Sequence, residues 1–186
     1  MNIYKVLNNQ FFSVDRYSLV PIRFEDRYSI MNWRNEQIFH LRQVKLLNKR
    51  DQDEYFKNVV SKLFDKEHPN QLLFSLIQED VCIGYGGLVH INWVDKTAEI
   101  SFIMDTLLEE INFDKIWEVY LSLIEKVAFQ ELKLNRIYTF AYDVRPHLYV
   151  VLQRAGFKQE SRLKNQYLHD NKYVDALIHS KFNYND

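Results

Sequence analysis

A chain of 186 residues with net charge −1, 47% apolar and 15% aromatic, can bury one core and is too apolar for intrinsic disorder. Its one cysteine, Cys82, excludes a disulfide framework and a Cys-based zinc site, and its near-neutral charge leaves no electrostatic footprint for nucleic acid. No apolar run approaches the roughly 20 residues that cross a bilayer, and the opening Met1-Asn2-Ile3-Tyr4-Lys5 lacks a secretory pattern. One cytoplasmic domain over residues 1–186 without membrane attachment is expected.

Tyr17–Phe24 reads as a strand, and Pro21 within it predicts an edge position. Asp26–Arg34 is a short helix. In Asp51–Phe64, Tyr55, Phe56, Val59, Val60, Leu63 and Phe64 recur at the helical period. Leu72–Ile77, Ile83–Trp93 and Ala98–Met104 are three strands of a meander, with a turn at Asp95-Lys96. Gly86-Gly87 inside the second strand predicts a bulge or a close backbone approach. Alternation sets Glu99, Ser101 and Ile103 opposite Ala98, Ile100, Phe102 and Met104. A helix over Asp114–Phe129, a strand over Arg136–Tyr142 and a helix over Pro146–Ala155 follow; Pro146 suits the first turn and Gly156 the close. Phe157–Leu163 and Tyr173–Phe182 are strands around the turn His169-Asp170-Asn171. The order gives a mixed α/β (α+β) fold, mostly antiparallel, of about seven strands and about four helices, with the central helix joining two strands that can run parallel.

Glycine is the anomaly of this composition. Gly84, Gly86, Gly87 and Gly156 are all there are, where ordinary usage of about 7% predicts roughly 13. The usual glycine-rich phosphate loops are therefore absent.

Six strings stand out in order: Val20-Pro21-Ile22-Arg23 with Trp33-Arg34-Asn35-Glu36, Ile83-Gly84-Tyr85-Gly86-Gly87-Leu88, and the run Ala98 to Asp105. Ala128-Phe129 with Leu134-Asn135-Arg136-Ile137, Val151 to Phe157, and Tyr173 to Ile178 complete the set. In this order they resemble the GNAT N-acetyltransferase superfamily, in the branch that acetylates ribosomal-protein N-termini and nucleotide-linked amino sugars. The resemblance covers about residues 17–182. It implies acetyl transfer from acetyl-CoA, in a cleft where two parallel strands splay, to a primary amine. That amine belongs to a small molecule, a nucleotide-linked amino sugar or a peptide N-terminus; a homodimer is compatible with it.

The chain departs from the pattern where the family holds the diphosphate. That loop falls on Asn112 to Trp117, and its two glycine positions are Lys115 and Trp117. Asp105, Glu109, Glu110, Asp114 and Glu118 surround Lys115. A carboxylate about 6 Å from a phosphate charge costs on the order of 2–3 kcal/mol at an effective dielectric near 20. Phe113 and Trp117 filling this position would favour a binding module that does not use CoA; exposed N–H groups there would favour the enzyme.

By the resemblance, Glu99 is the candidate base, with His90 on the neighbouring strand and Tyr149 as a substitute for a missing general acid at Leu152. The alternatives are a structurally paired carboxylate and a packed histidine. Ile103, Met104, Asp105 and Lys115 are candidate cofactor contacts. Arg145 and His147 would meet phosphate from a new direction, unless they form only a solvated turn. Trp33, Arg34, Asn35, Arg42 and Tyr85 would lie on the acceptor side, or else form a helix end with Trp33 in the core. No histidine pair has metal-ligand spacing, so no metal is expected.

Overall fold

A computed structural model of the chain describes residues 3–183. The first strand, β1 (Phe12–Val14), was not expected from the sequence. It turns back into β2 (Tyr17–Pro21), so β2 is the second strand of the sheet and not an edge. Pro21 is tolerated because the pairing with β1 reaches only Leu19, so no β1 partner lies beside it, while Ile22 still donates to Leu73 of the third strand. The chain then enters a 3₁₀ turn, Phe24–Asp26, and the helix α1 (Arg27–Glu36), which buries Ile30, Met31 and Trp33.

α2 spans Lys49–Asn58, earlier and shorter than the apolar stripe suggests. Asn48 accepts a hydrogen bond from the Asp51 N–H and Asp51 reaches back to the Asn48 N–H, a capping box that sets the start. The expected lower half is a 3₁₀ turn, Val60–Leu63. Phe56, Val60, Leu63 and Phe64 are buried, while Tyr55 and Val59 reach the surface.

The three meander strands are as expected: β3 (Leu72–Gln78), β4 (Val81–Asn92) and β5 (Thr97–Met104), each antiparallel to the last. Gly86 and Gly87 mark a close approach. A Cβ on Gly87 would lie 1.8 Å from the Leu72 carbonyl oxygen, and one on Gly86 2.1 Å from that of Ser101. The bulge lies further along β4, between Val89 and Asn92, where His90 takes φ +50°. Gly87→Ala should therefore push β3 and β4 apart, at a cost of about 3 kcal/mol. That lowers the melting temperature by roughly 6–12 °C for a chain of this size; an unchanged value would contradict the close approach.

A second unexpected element follows β5. Asp105 caps α3 (Thr106–Ile111), accepting hydrogen bonds from the N–H groups of Leu107 and Leu108. After Asn112 the chain enters α4 (Phe113–Glu125), which ends in a π-helical turn, Lys126–Glu131. α4 buries Phe113, Ile116, Trp117, Val119, Tyr120, Leu121, Leu123 and Ile124. The Tyr120 hydroxyl donates to the Ser101 carbonyl at 2.8 Å and its ring stacks on Phe102 at 3.8 Å.

β6 (Arg136–Tyr142) runs parallel to β5. α5 (Pro146–Arg154) closes in a Schellman motif: Gly156, at φ +86°, donates to Gln153, and Phe157 donates to Leu152. β7 (Lys158–His169) and β8 (Lys172–Phe182) form a longer hairpin than expected. Its turn is the pair Asp170-Asn171, both with positive φ, as a two-residue hairpin turn requires. The sheet order is β1-β2-β3-β4-β5-β6-β8-β7: among the described residues there are eight strands and five α-helices, one more of each than the sequence suggests. No helix among the described residues is long and apolar enough to cross a membrane.

Candidate active site

The sheet opens at one place. β5 and β6 pair only from Thr97↔Arg136 to Glu99↔Tyr138; past Glu99 the two strands part. A cavity of about 190 Å³ occupies the opening, walled by Glu99, Ser101, Trp117, Thr139, Tyr142 and Arg145 among others.

Glu99 therefore stands at the vertex, 5% exposed. Its Oε1 pairs with the Arg42 guanidinium, and its Oε2 lies 3.9 Å from His90 Nε2. The β4 bulge places His90 beside Glu99. Arg42 lies on the loop after α1, with its guanidinium 5.1 Å over the Phe140 ring. Burial raises the Glu99 pKa above its ordinary value, and the Arg42 and His90 charges pull the other way. Three residues assigned separately from the sequence, Glu99, His90 and Arg42, thus meet in one cluster.

The Trp33-Arg34-Asn35 string divides its work. Trp33 Nε1 donates to Asp105 Oδ2 at 3.0 Å, tying α1 to the end of β5. Asn35 accepts from the Leu47 N–H and donates to the Leu47 carbonyl, both at 2.8 Å. Arg34 donates to the Tyr85 hydroxyl at 2.6 Å and to Gln43 at 2.9 Å. Arg34 lines the cleft, and with Tyr85 it also lines a second cavity of about 390 Å³ between α1 and α2.

Other candidates lie away from the opening. Tyr149 stacks on His179 at 5.0 Å and donates to the Tyr142 carbonyl at 3.3 Å, outside the cavity wall. Its pKa is pushed up by burial and by Asp143, which makes the hydroxyl a poorer acid. Ile103 and Met104 are core residues, and Asp105 is occupied by Trp33 and the α3 cap.

At the start of α4 the bulky side chains fill the space. Phe113 and Trp117 are buried, and Trp117 meets Phe102 edge-on at 5.0 Å. His147 lies edge-on to Phe113 at 4.3 Å, and Lys115 is exposed. The surrounding acids are largely neutralised. Arg154 pairs with Asp114 at 2.6 Å and Glu118 at 3.1 Å, and Arg145 with Glu109 at 2.7 Å. Arg145 and Glu109 are 10% and 14% exposed at the side chain. The repulsion expected from the sequence is thus relieved by α5, and Arg145 is committed to Glu109.

Sequence reading missed several wall residues. His40 sits on a 3₁₀ turn without periodicity, its pKa pushed down to about 3 by burial and then by Arg145. Trp117 Nε1 and Thr139 Oγ1 are buried without a hydrogen-bond partner among the described residues. Only the departure of Trp117 from glycine signalled its place.

These residues bear unequally on an acyl-CoA. The edges of β5 and β6, unpaired past Glu99, fit an acyl thioester and its amide-bearing arm. The start of α4 lacks the small residues that would let phosphate reach its N–H groups. The diphosphate would have to lie outside Phe113, near Lys115 and His147.

Comparison with known proteins agrees with the topology. A family profile described as an acetyltransferase (GNAT) domain matches residues 19–178. Among solved structures, a spermidine N-acetyltransferase from Vibrio cholerae, in complex with CoA and spermine, aligns with a TM-score of 0.76 and 17% identity, over 90% of this chain and 96% of that one. A ribosomal-protein-S5-alanine acetyltransferase from Vibrio fischeri aligns with a TM-score of 0.75 and 17% identity, over 95% and 98%. With the splayed strands and a profile match over most of its length, the chain belongs to the GNAT acetyltransferase family.

Proposed function

We propose that the chain is an N-acetyltransferase that moves acetyl from acetyl-CoA to a primary amine, an amino sugar of surface-polysaccharide synthesis or a protein N-terminus. The observation that carries this reading is Glu99, buried at the vertex of the splayed strands and held by Arg42 and His90. Acetyl-CoA supplies an activated acyl group when bound. Glu99 takes the proton from the incoming ammonium, directly or through a water, so that the amine has a free lone pair. Arg42 fixes the Glu99 carboxylate, and His90 offers a second site for the proton. Trp117 lines the same cavity, its Nε1 buried without a hydrogen-bond partner among the described residues.

Incubation with acetyl-CoA and a panel of amino sugars, peptides and polyamines tests the reading. Thiol release with acetylated product is expected from at least one class, and release no faster than buffer with every class would overturn it. A second reading has an observation of its own. Phe113 and Trp117 are buried where the family holds the diphosphate, which favours a GNAT-like binding module independent of CoA.

A further inference from the structure

Arg34 leaves the charge of the site unbalanced. The chain has ten arginines, and nine of them face a carboxylate in an ion pair. Arg34 does not. Its Nε and Nη1 donate to Gln43 and Tyr85, both neutral, and its Nη2 has no protein partner among the described residues. The acids around the two cavities are already engaged. Glu99 holds Arg42, Asp51 caps α2 and lies 3.7 Å from Lys45, and Glu54 pairs with Arg50 at 2.9 Å. Of the charged groups at the cleft, Arg42 is balanced by Glu99 and Arg145 by Glu109, which leaves the charge of Arg34.

The guanidinium is also held in place. Gln43 donates to Asn35, and Asn35 is bonded to both backbone groups of Leu47. A half-buried guanidinium on a fixed mount with a free edge is a ready receptor for a planar or tetrahedral anion. A polycation brought into the same cavities would face this charge with no free acid to receive it.

We infer that Arg34 binds an anionic group, phosphate or carboxylate, carried by the acceptor, and that the acceptor is a small amine bearing such a group. This deepens the acetyltransferase reading and rests on it for the fate of the amine. Glu99 and Arg34 wall the same cavity, so one compact molecule presents its amine to the first and its anion to the second.

The test compares glucosamine with its phosphorylated form, butylamine with aminobutyrate, and both pairs with spermidine. Binding is read by thermal protection without acetyl-CoA, and KM with it. Each member that carries a phosphate or carboxylate should bind about ten-fold or more tightly than its partner without one, as a charge-assisted fork to an anion allows. The phosphate and carboxylate pairs distinguish the two forms of the anion. Arg34→Gln should erase the preference, and Arg34→Lys, which keeps the charge without the fork, should retain part of it. Spermidine, or the amines without an anionic group, binding as well as those that carry one would overturn the proposal. So would an Arg34→Gln variant that weakens acetyl-CoA and leaves the amine preference intact. A preference that depends on Arg34 without any acetylation would uphold the anion site and sink the acetyltransferase reading.

Discussion

Replacing Glu99 by Gln is expected to lower kcat/KM by about 10²–10⁴-fold, the range for loss of a positioned general base. The substitution keeps the shape of the side chain and a hydrogen-bond acceptor for Arg42, so it removes basicity with little change in packing. The pH profile carries the sharper signature. Glu99 must be ionised to take a proton, and burial raises its pKa above the ordinary carboxylate range. The wild-type rate should therefore fall, as pH is lowered, at a higher pH than an exposed glutamate would give. That acid limb should vanish in the variant. A variant within a few-fold of wild type, with the limb unchanged, would make Glu99 a structural partner of Arg42.

Arg145→Ala is expected to cost about 3–5 kcal/mol of stability, because it leaves Glu109 charged and largely buried without its partner. The melting temperature should fall by roughly 6–20 °C. Glu109→Ala should do comparable damage for the reciprocal reason. The double variant should be less destabilised than the two effects summed, since the pair is lost only once. If Arg145 instead serves as a phosphate ligand, Arg145→Ala would keep its melting temperature and lose affinity for CoA. The structure favours the first outcome, because Glu109 occupies the guanidinium that phosphate would need.

The parts of this architecture that were legible in the sequence are those written in local periodicity. The meander, the parallel β5–β6 pair and the Pro146-to-Gly156 helix follow from alternation, a helical stripe and a proline–glycine frame. What escaped was decided by contacts between distant residues. β1 is three residues long and exists because β2 offers it an edge. α3 starts because Asp105 can cap it while also accepting from Trp33, a partner 72 positions away. α2 starts early because its cap lies at Asn48, upstream of the apolar stripe.

The candidate site divides in the same way. Strand alternation points to Glu99 and residue type to His90, but the bulge that sets His90 beside Glu99 depends on strand register. Arg145 reads in the sequence as a phosphate contact or part of a solvated turn; in space it faces Glu109 of α3, and Arg154, which no sequence signal singles out, faces Asp114 and Glu118 of α4. The paired glycines had two readings, and the Leu72 and Ser101 carbonyls decide for close approach at those positions.

Acetyl-CoA titrated into the protein while thermal unfolding is followed tests most directly whether the splayed cleft is a working acyl-donor site. At about 100 times the dissociation constant, binding to the native state adds about 2.7 kcal/mol. For a chain of this size that raises the melting temperature by roughly 5–11 °C. A rise that grows with ligand concentration is the expected result, and a melting temperature that does not move at millimolar acetyl-CoA would contradict it.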